Sequence, residues 1–200
     1  MEYIEIVIGF DAREMSIPFE WTPERRNTFL IKQDIIKPLS VDTTTWDSIF
    51  NLSGNLHSPK YVGGATGLWA DLDEIKKYLN GETLNQWKPY WVIAVTQFFS
   101  KEELELMKYG PVPVNPAQIT ADWKLLGYDI ADGTLLSALT SMGGTTYQVE
   151  KNERFGSLLN QYHLFEDSGD ADKFADWKDE RAPLEGPFYV YGLYLIEEIK

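Results

Sequence analysis

The chain has no cysteine, so disulfides, thiolate metal ligands and cysteine nucleophiles are excluded. Histidine is scarce: His57 and His163 are the only two. Neither stands in an H-x-x-x-H or H-E-x-x-H spacing, so a histidine-based metal centre would need carboxylates to complete it. His163, in "NQYHLF", reads as a packed helix-end residue rather than a ligand, and His57, in "GNLHSPK", carries no signal. No apolar run approaches the roughly 18 residues that span a bilayer. The opening "MEYIEIVIGF" lacks the basic region and long apolar stretch of a signal peptide. A soluble, cytoplasmic protein is expected.

Basic residues are also in short supply. Eighteen Lys and Arg stand against 31 Asp and Glu, a formal net charge of −13. Such a chain repels phosphate backbones and anionic bilayers, so neither nucleic acid nor membrane is an expected partner. A basic protein partner, drawn in by long-range charge, is the sharper reading; plain solubility is the simpler one. The G-x-S-x-G turn of serine hydrolases is missing, and Ser137 in "LLSALTS" lacks flanking glycines. "YVGGATGLW" offers Gly63, Gly64 and Gly67 without the Lys-Ser/Thr of a phosphate loop. No cofactor, no metal site and no catalytic set are expected.

What is present suits a globular fold. Over 200 residues, 44% are hydrophobic and 14% aromatic, with seven Trp, enough for a core with rings to spare for binding. "EYIEIVIGF", "PYWVIAVTQF", "DWKLLGYDI" and "PFYVYGLYLIEEI" read as strands. "TPERRNTFLIKQDIIKPL" reads as a helix opened by Thr22 and Pro23 and stopped by Pro38. "DLDEIKKYLNG" is a short helix with an acidic first turn, and "SKEELELMKYG" opens with Ser100 and Glu103 in capping-box spacing. "LLSALTSM" is a short helix or strand. "NERFGSLLNQYHLF" reads as helix through Phe155, Leu158, Leu159 and Tyr162, and "DADKFADWKDER" as a short acidic helix. The elements do not alternate strictly as βαβ. The expected class is α+β, a single domain over 1–200 with a mixed or antiparallel sheet flanked by helices. Residues 111–117, "PVPVNPA", form a candidate connector.

Carboxylates are the one abundant catalytic residue type. Asp129 and Asp132 lie three apart in "YDIADG", a spacing that brings them together on a helix and separates them on a strand. Two readings stand: an acid/base or metal pair, or a strand end (Asp129) followed by a cap or D-G turn (Asp132-Gly133). From 161 to 182, seven acidic residues stand against three basic ones, a net of −4, with Phe165, Phe174 and Trp177 interleaved. Acids around aromatic anchors suit an interface for a basic partner; equally, Phe174 and Trp177 could pack inward beneath a solvated acidic helix.

The segments "WKLLGYDIADGTLLSALTSMGG", "LNQYHLFED" and "ERAPLEGPFYVYGLYLI" resemble a pattern in bacterial proteins of unassigned function, some encoded beside polymorphic toxins and presumed to be immunity proteins. The resemblance covers about the last 80 residues. It implies a cytosolic protein that binds rather than reacts. Ser141-Met142-Gly143-Gly144 departs from the Asn-Cys-Gly-like ending expected there.

The leading expectation is a non-enzymatic immunity protein that occludes a basic toxin one to one, through Glu166, Asp167, Asp170, Asp172, Asp176 and Trp177. One alternative is a phage-type acidic inhibitor that mimics DNA. Another is a carboxylate-dependent hydrolase using Asp129 and Asp132. Asp132→Asn separates the last from the rest: turnover vanishes if the pair is catalytic, whereas loss of a cap costs about 1 kcal/mol in a denaturation measurement.

Overall fold

The computed structural model describes residues 2–14, 68–69, 71–79, 90–107, 118–132, 137–139 and 145–199. The expected helix at 22–38, the candidate connector at 111–117, His57 and the Gly143-Gly144 pair lie outside them.

Four strands form one antiparallel sheet: β1 (Tyr3–Glu14), β2 (Tyr90–Ser100), β3 (Lys124–Ala131) and β4 (Tyr189–Ile199), in the order β1-β2-β4-β3. Helices α1 (Leu72–Leu79), α2 (Lys101–Met107), α3 (Thr145–Phe155) and α4 (Ser168–Arg181) complete the described elements. The class is α+β, and the sheet is antiparallel rather than mixed.

The two interior strands explain why β2 is the most apolar stretch. Ile93 and Val95 enter one core cluster with Phe155, Phe165, Phe174 and Trp177. Val92 and Ala94 enter a second with Phe10, Trp69 and Ile75. A strand covered on both sides needs apolar residues at successive positions rather than at every second one. Helix α1 packs beside β1, and α4 lies across β3 and β4.

Local rules set the element ends. The Ser100 backbone N–H donates to Glu103 Oε2 (2.7 Å), and Glu103 N–H donates back to Ser100 Oγ (3.2 Å). This reciprocal cap starts α2 directly at the end of β2. Asp71 Oδ1 accepts the Asp73 N–H (2.7 Å) at the start of α1. The helix expected through Tyr162 ends earlier. It begins at Thr145, gives way to a 3-10 turn at Gly156–Leu158, and Leu159 is extended at φ −87°, ψ 134°. Beyond it, Leu159 pairs with Phe165 as an antiparallel bridge. Apolar spacing alone does not distinguish a continued helix from a tight hairpin with the same residues facing in.

Two glycines are required by close approach. Across the sheet Val7, Thr96, Gly192 and Tyr128 stand in one row. A Cβ at Gly192 would fall on Thr96 Oγ1 and the Glu5 carboxylate. That carboxylate accepts from Thr96 Oγ1 (2.5 Å) and from the Tyr194 hydroxyl (3.0 Å). Burial, then the Glu5 charge, push the Tyr194 hydroxyl above its ordinary range, which keeps it a donor. Gly127, at φ 142°, sits where the register of β3 against β4 shifts. A Cβ there would lie 2.7 Å from both Leu164 Cβ and the Phe165 carbonyl oxygen. Gly127→Ala is therefore expected to lower the unfolding free energy by about 2–4 kcal/mol, from backbone strain plus overpacking, read as a shifted urea midpoint.

Candidate functional site

The segment that follows Leu159 is a built turn. Asn160 holds it: its Oδ1 accepts from the Tyr162 (2.9 Å) and Leu164 (3.2 Å) N–H groups, and its Nδ2 donates to the Leu126 carbonyl of β3 (2.7 Å). His163 sits within this turn at φ 60° and is buried. It is a turn residue, not the helix-end residue expected, because Asn160 closes the backbone on itself through the His163 N–H (3.0 Å). Phe165 then exchanges two backbone bonds with Tyr128 (2.8 and 2.9 Å), which anchors the segment to β3.

Asp167 comes next and caps α4. Its Oδ1 accepts from Gly169 N–H (2.9 Å) and Asp170 N–H (3.1 Å), a contribution of about 1 kcal/mol. Ala171, Phe174, Ala175, Trp177 and Lys178 form the buried side of α4, at helical spacing. Trp177 is 4% exposed. It stacks on Tyr147 (centroids 5.2 Å apart, 21° between planes) and packs on Phe155 and Phe174. The expectation that Trp177 presents itself to a partner is corrected: two rings on α3 and one on α4 already cover it. Phe174 and Phe165 are likewise interior.

The acids of the set stay outside. Glu166, Asp167, Asp172 and Asp176 are exposed, and Asp170 is half-buried and bonded to Lys173 Nζ (2.7 Å). Asp172, Asp176 and Glu180 follow one another at intervals of four along the exposed side of α4, with no ion pair to any of them among the described residues. Partial burial, then the neighbouring Asp176 and Asp167, hold the Asp172 carboxyl above its ordinary range.

Asp129 is also not where a strand-end reading puts it. It lies inside β3, opposite Tyr191, and is 0% exposed. Its Oδ1 accepts from Ile130 N–H (2.8 Å) and Ser137 Oγ (2.7 Å). Ala138 N–H bonds the Ile130 carbonyl (2.7 Å) and Ser137 bridges Ala131 antiparallel, so residues 137–139, expected as a short helix or strand, form a bridge and turn pinned to β3. Asp132 follows β3 half-buried, its carbonyl accepting from the Tyr191 hydroxyl at 3.5 Å; the turn expected at Asp132-Gly133 runs outside the described residues. A fully buried carboxylate bonded in this way holds a turn in place and is closed to a substrate.

Two lysines that sequence reasoning passed over are buried here. Lys151 is 1% exposed, and its Nζ donates to the Leu139 carbonyl (2.7 Å). Lys178, 3% exposed, donates to Glu185 Oε2 (2.7 Å) and lies over the rings of Tyr147 and Phe188. Burial, then the charge of Lys178, bring the Lys151 ammonium down to about 7. The signal was present: Tyr147, Lys151 and Phe155 recur at intervals of four, which places the lysine on an apolar stripe. Arg154 and Arg181 both contact Glu150 and both lie near the Trp177 ring, joining α3 to α4 outside this cluster.

Between the start of β3 and the Asn160 turn lies an open cleft of about 610 Å³, lined by Lys124, Leu125, Asn160, Gln161, Tyr162 and Glu166 among others. Among the described residues no group of three His, Asp or Glu side chains is placed to hold a metal ion, and no helix is long and apolar enough to cross a membrane. No family model, curated protein or solved structure matches the chain.

The buried Lys151 makes stability depend on pH. Its folded value of about 7 lies below its ordinary 10.5, so between the two the unfolded chain binds more protons, and stability rises with pH. The expected slope reaches about 1.4 kcal/mol per pH unit from about pH 7.5 to 9.5. Above about pH 10 it reverses, because burial holds the Tyr147 and Tyr191 hydroxyls above their ordinary 10.0. Denaturant titrations of Lys151→Met are expected to lose the rise.

Proposed function

We propose that this protein is a cytoplasmic binding protein with no reaction of its own, which engages a basic protein partner through the exposed acids of α4, as an immunity protein occludes a toxin. The observation that carries the reading is the placement of Asp172, Asp176 and Glu180. Helix stability does not account for them. Like charges four apart disfavour a helix by a few tenths of a kcal/mol each, and Glu180 stands near the C-terminal end, where the helix dipole disfavours a negative charge. A partner bearing Lys or Arg relieves both costs.

The inward packing of Trp177 changes the expected mechanism. Occlusion rests on charge-assisted contacts from Asp172, Asp176 and Glu180 along α4, with Glu166 and Asp167 just ahead of its first turn, and without an aromatic anchor from α4. Such an interface gains chiefly in association rate and depends strongly on salt. Asp129, buried and bonded to Ser137, is placed to hold a turn, which favours binding over the carboxylate-hydrolase alternative. For the DNA-mimic alternative, the row along α4 is short, three carboxylates at intervals of four.

The test is association with the products of adjacent genes, followed at low and high salt. The triple variant Asp172→Asn/Asp176→Asn/Glu180→Gln is expected to slow association about tenfold or more, with a smaller effect on dissociation. Failure of every adjacent gene product to associate, or unchanged rates for the triple variant, overturns the reading.

A further inference from the structure

The cleft beside Glu166 has the chemistry of a specific subsite, separate from the row of acids along α4. Its walls are fixed. Asn160 spends its carboxamide on three backbone groups, two within its own turn and one on β3. Tyr162 is half-buried, its ring held edge-on against Trp91 (centroids 5.8 Å apart, 74° between planes). What remains for a ligand is the Glu166 carboxylate, exposed and without an ion pair among the described residues, the Tyr162 side chain, the Gln161 amide and, on the opposite lip, the Lys124 ammonium. The cleft, about 610 Å³ and open to solvent, has room for one side chain of an incoming protein.

We propose that this cleft receives an arginine side chain of the basic partner, held between the Glu166 carboxylate and the Tyr162 ring; the proposal rests on the binding function put forward above. A guanidinium meets a carboxylate through two parallel N–H donors and lies flat on an aromatic ring, whereas an ammonium does neither. The Asn160 wall of the cleft, already hydrogen-bonded, has little freedom left to lose on binding. Lys124 sets the direction. It repels the cation from its own lip and attracts a carbonyl or carboxylate of the incoming chain, so the guanidinium enters on the Glu166 side.

The experiment uses two end-blocked peptides of equal length, alternating Gly-Arg and alternating Gly-Lys, titrated into the isotope-labelled protein and followed by amide chemical shifts. The Gly-Arg peptide is expected to shift the amides of residues 124–127 and 161–166 and to bind more tightly than Gly-Lys. Glu166→Gln, at an exposed position that leaves folding intact, is expected to weaken the Gly-Arg peptide about tenfold. The triple variant on α4 is expected to weaken both peptides equally. Equal binding of the two peptides, with shifts confined to 168–181, overturns the arginine subsite and leaves the acidic binding surface standing. Absence of binding by the Gly-Arg peptide overturns the arginine subsite, while the acidic binding surface stands or falls on the association measurements with the α4 triple variant. Free arginine binding the cleft more tightly than the peptide overturns the protein partner and makes the cleft a small-molecule site.

Discussion

The inward turn of Phe174 and Trp177 is the constraint on which the C-terminal half depends. These two rings meet Phe155, Phe165 and Tyr147 in one aromatic cluster, and edge-on and tilted contacts at these distances each add about 0.5–1.5 kcal/mol to burial. Once they are inside, the rotation of α4 is settled. Asp172, Asp176 and Glu180, one to three residues away along the chain, have nowhere to go but solvent. The acidic surface is therefore a by-product of core packing in its geometry, though not in its residue types: lysine or glutamine at those positions would leave the same rings buried.

The same cluster explains how two lysines come to be interior. Lys178 follows Trp177 directly and is carried inward with it, where ring faces and Glu185 receive its charge. Lys151 is one turn from both Tyr147 and Phe155. It meets the Leu139 carbonyl, at the far end of a chain of contacts that begins at Asp129 and passes through Ser137. Strand β3 and helix α3 are thus joined by polar groups through residues 137–139, beside the aromatic cluster. Removing one member of such a buried chain costs more than its hydrogen bond contributes, because the remaining members lose their partners.

Much of this was legible in the sequence, for identifiable reasons. The four strands stand out because β-branched and aromatic residues are dense in them and no other described segment competes. The Ser100–Glu103 cap was visible because its two side chains act within four residues. The buried side of α4 was visible as a spacing but not as a decision: Ala171, Phe174, Ala175 and Lys178 define a stripe, and Trp177 at its margin reads equally well as core or as anchor. What could not be read were long-range partners. Asp129 looked like a strand end because its partner, Ser137, is eight residues on and signals nothing by itself. The hairpin from Leu159 to Phe165 looked like helix because its closure depends on Asn160 reaching the Leu126 carbonyl, 34 residues back along the chain. The cleft was unreadable for the same reason, since its two lips come from segments that far apart.

That hairpin has one more effect, on how the molecule keeps to itself. Strand β3 is a border of the sheet, and a border strand offers a row of unpaired amides and carbonyls to any passing chain. Here Phe165 takes both backbone groups of Tyr128, Asn160 takes the Leu126 carbonyl, and Ala138 takes that of Ile130. Among the described residues, the border is closed in steps by its own sequence, through three short contacts. The groups so engaged are withdrawn from pairing with a passing strand. The acidic helix packed across β3 and β4 carries its charges outward while the strand beneath it is protected from adding another copy of the chain.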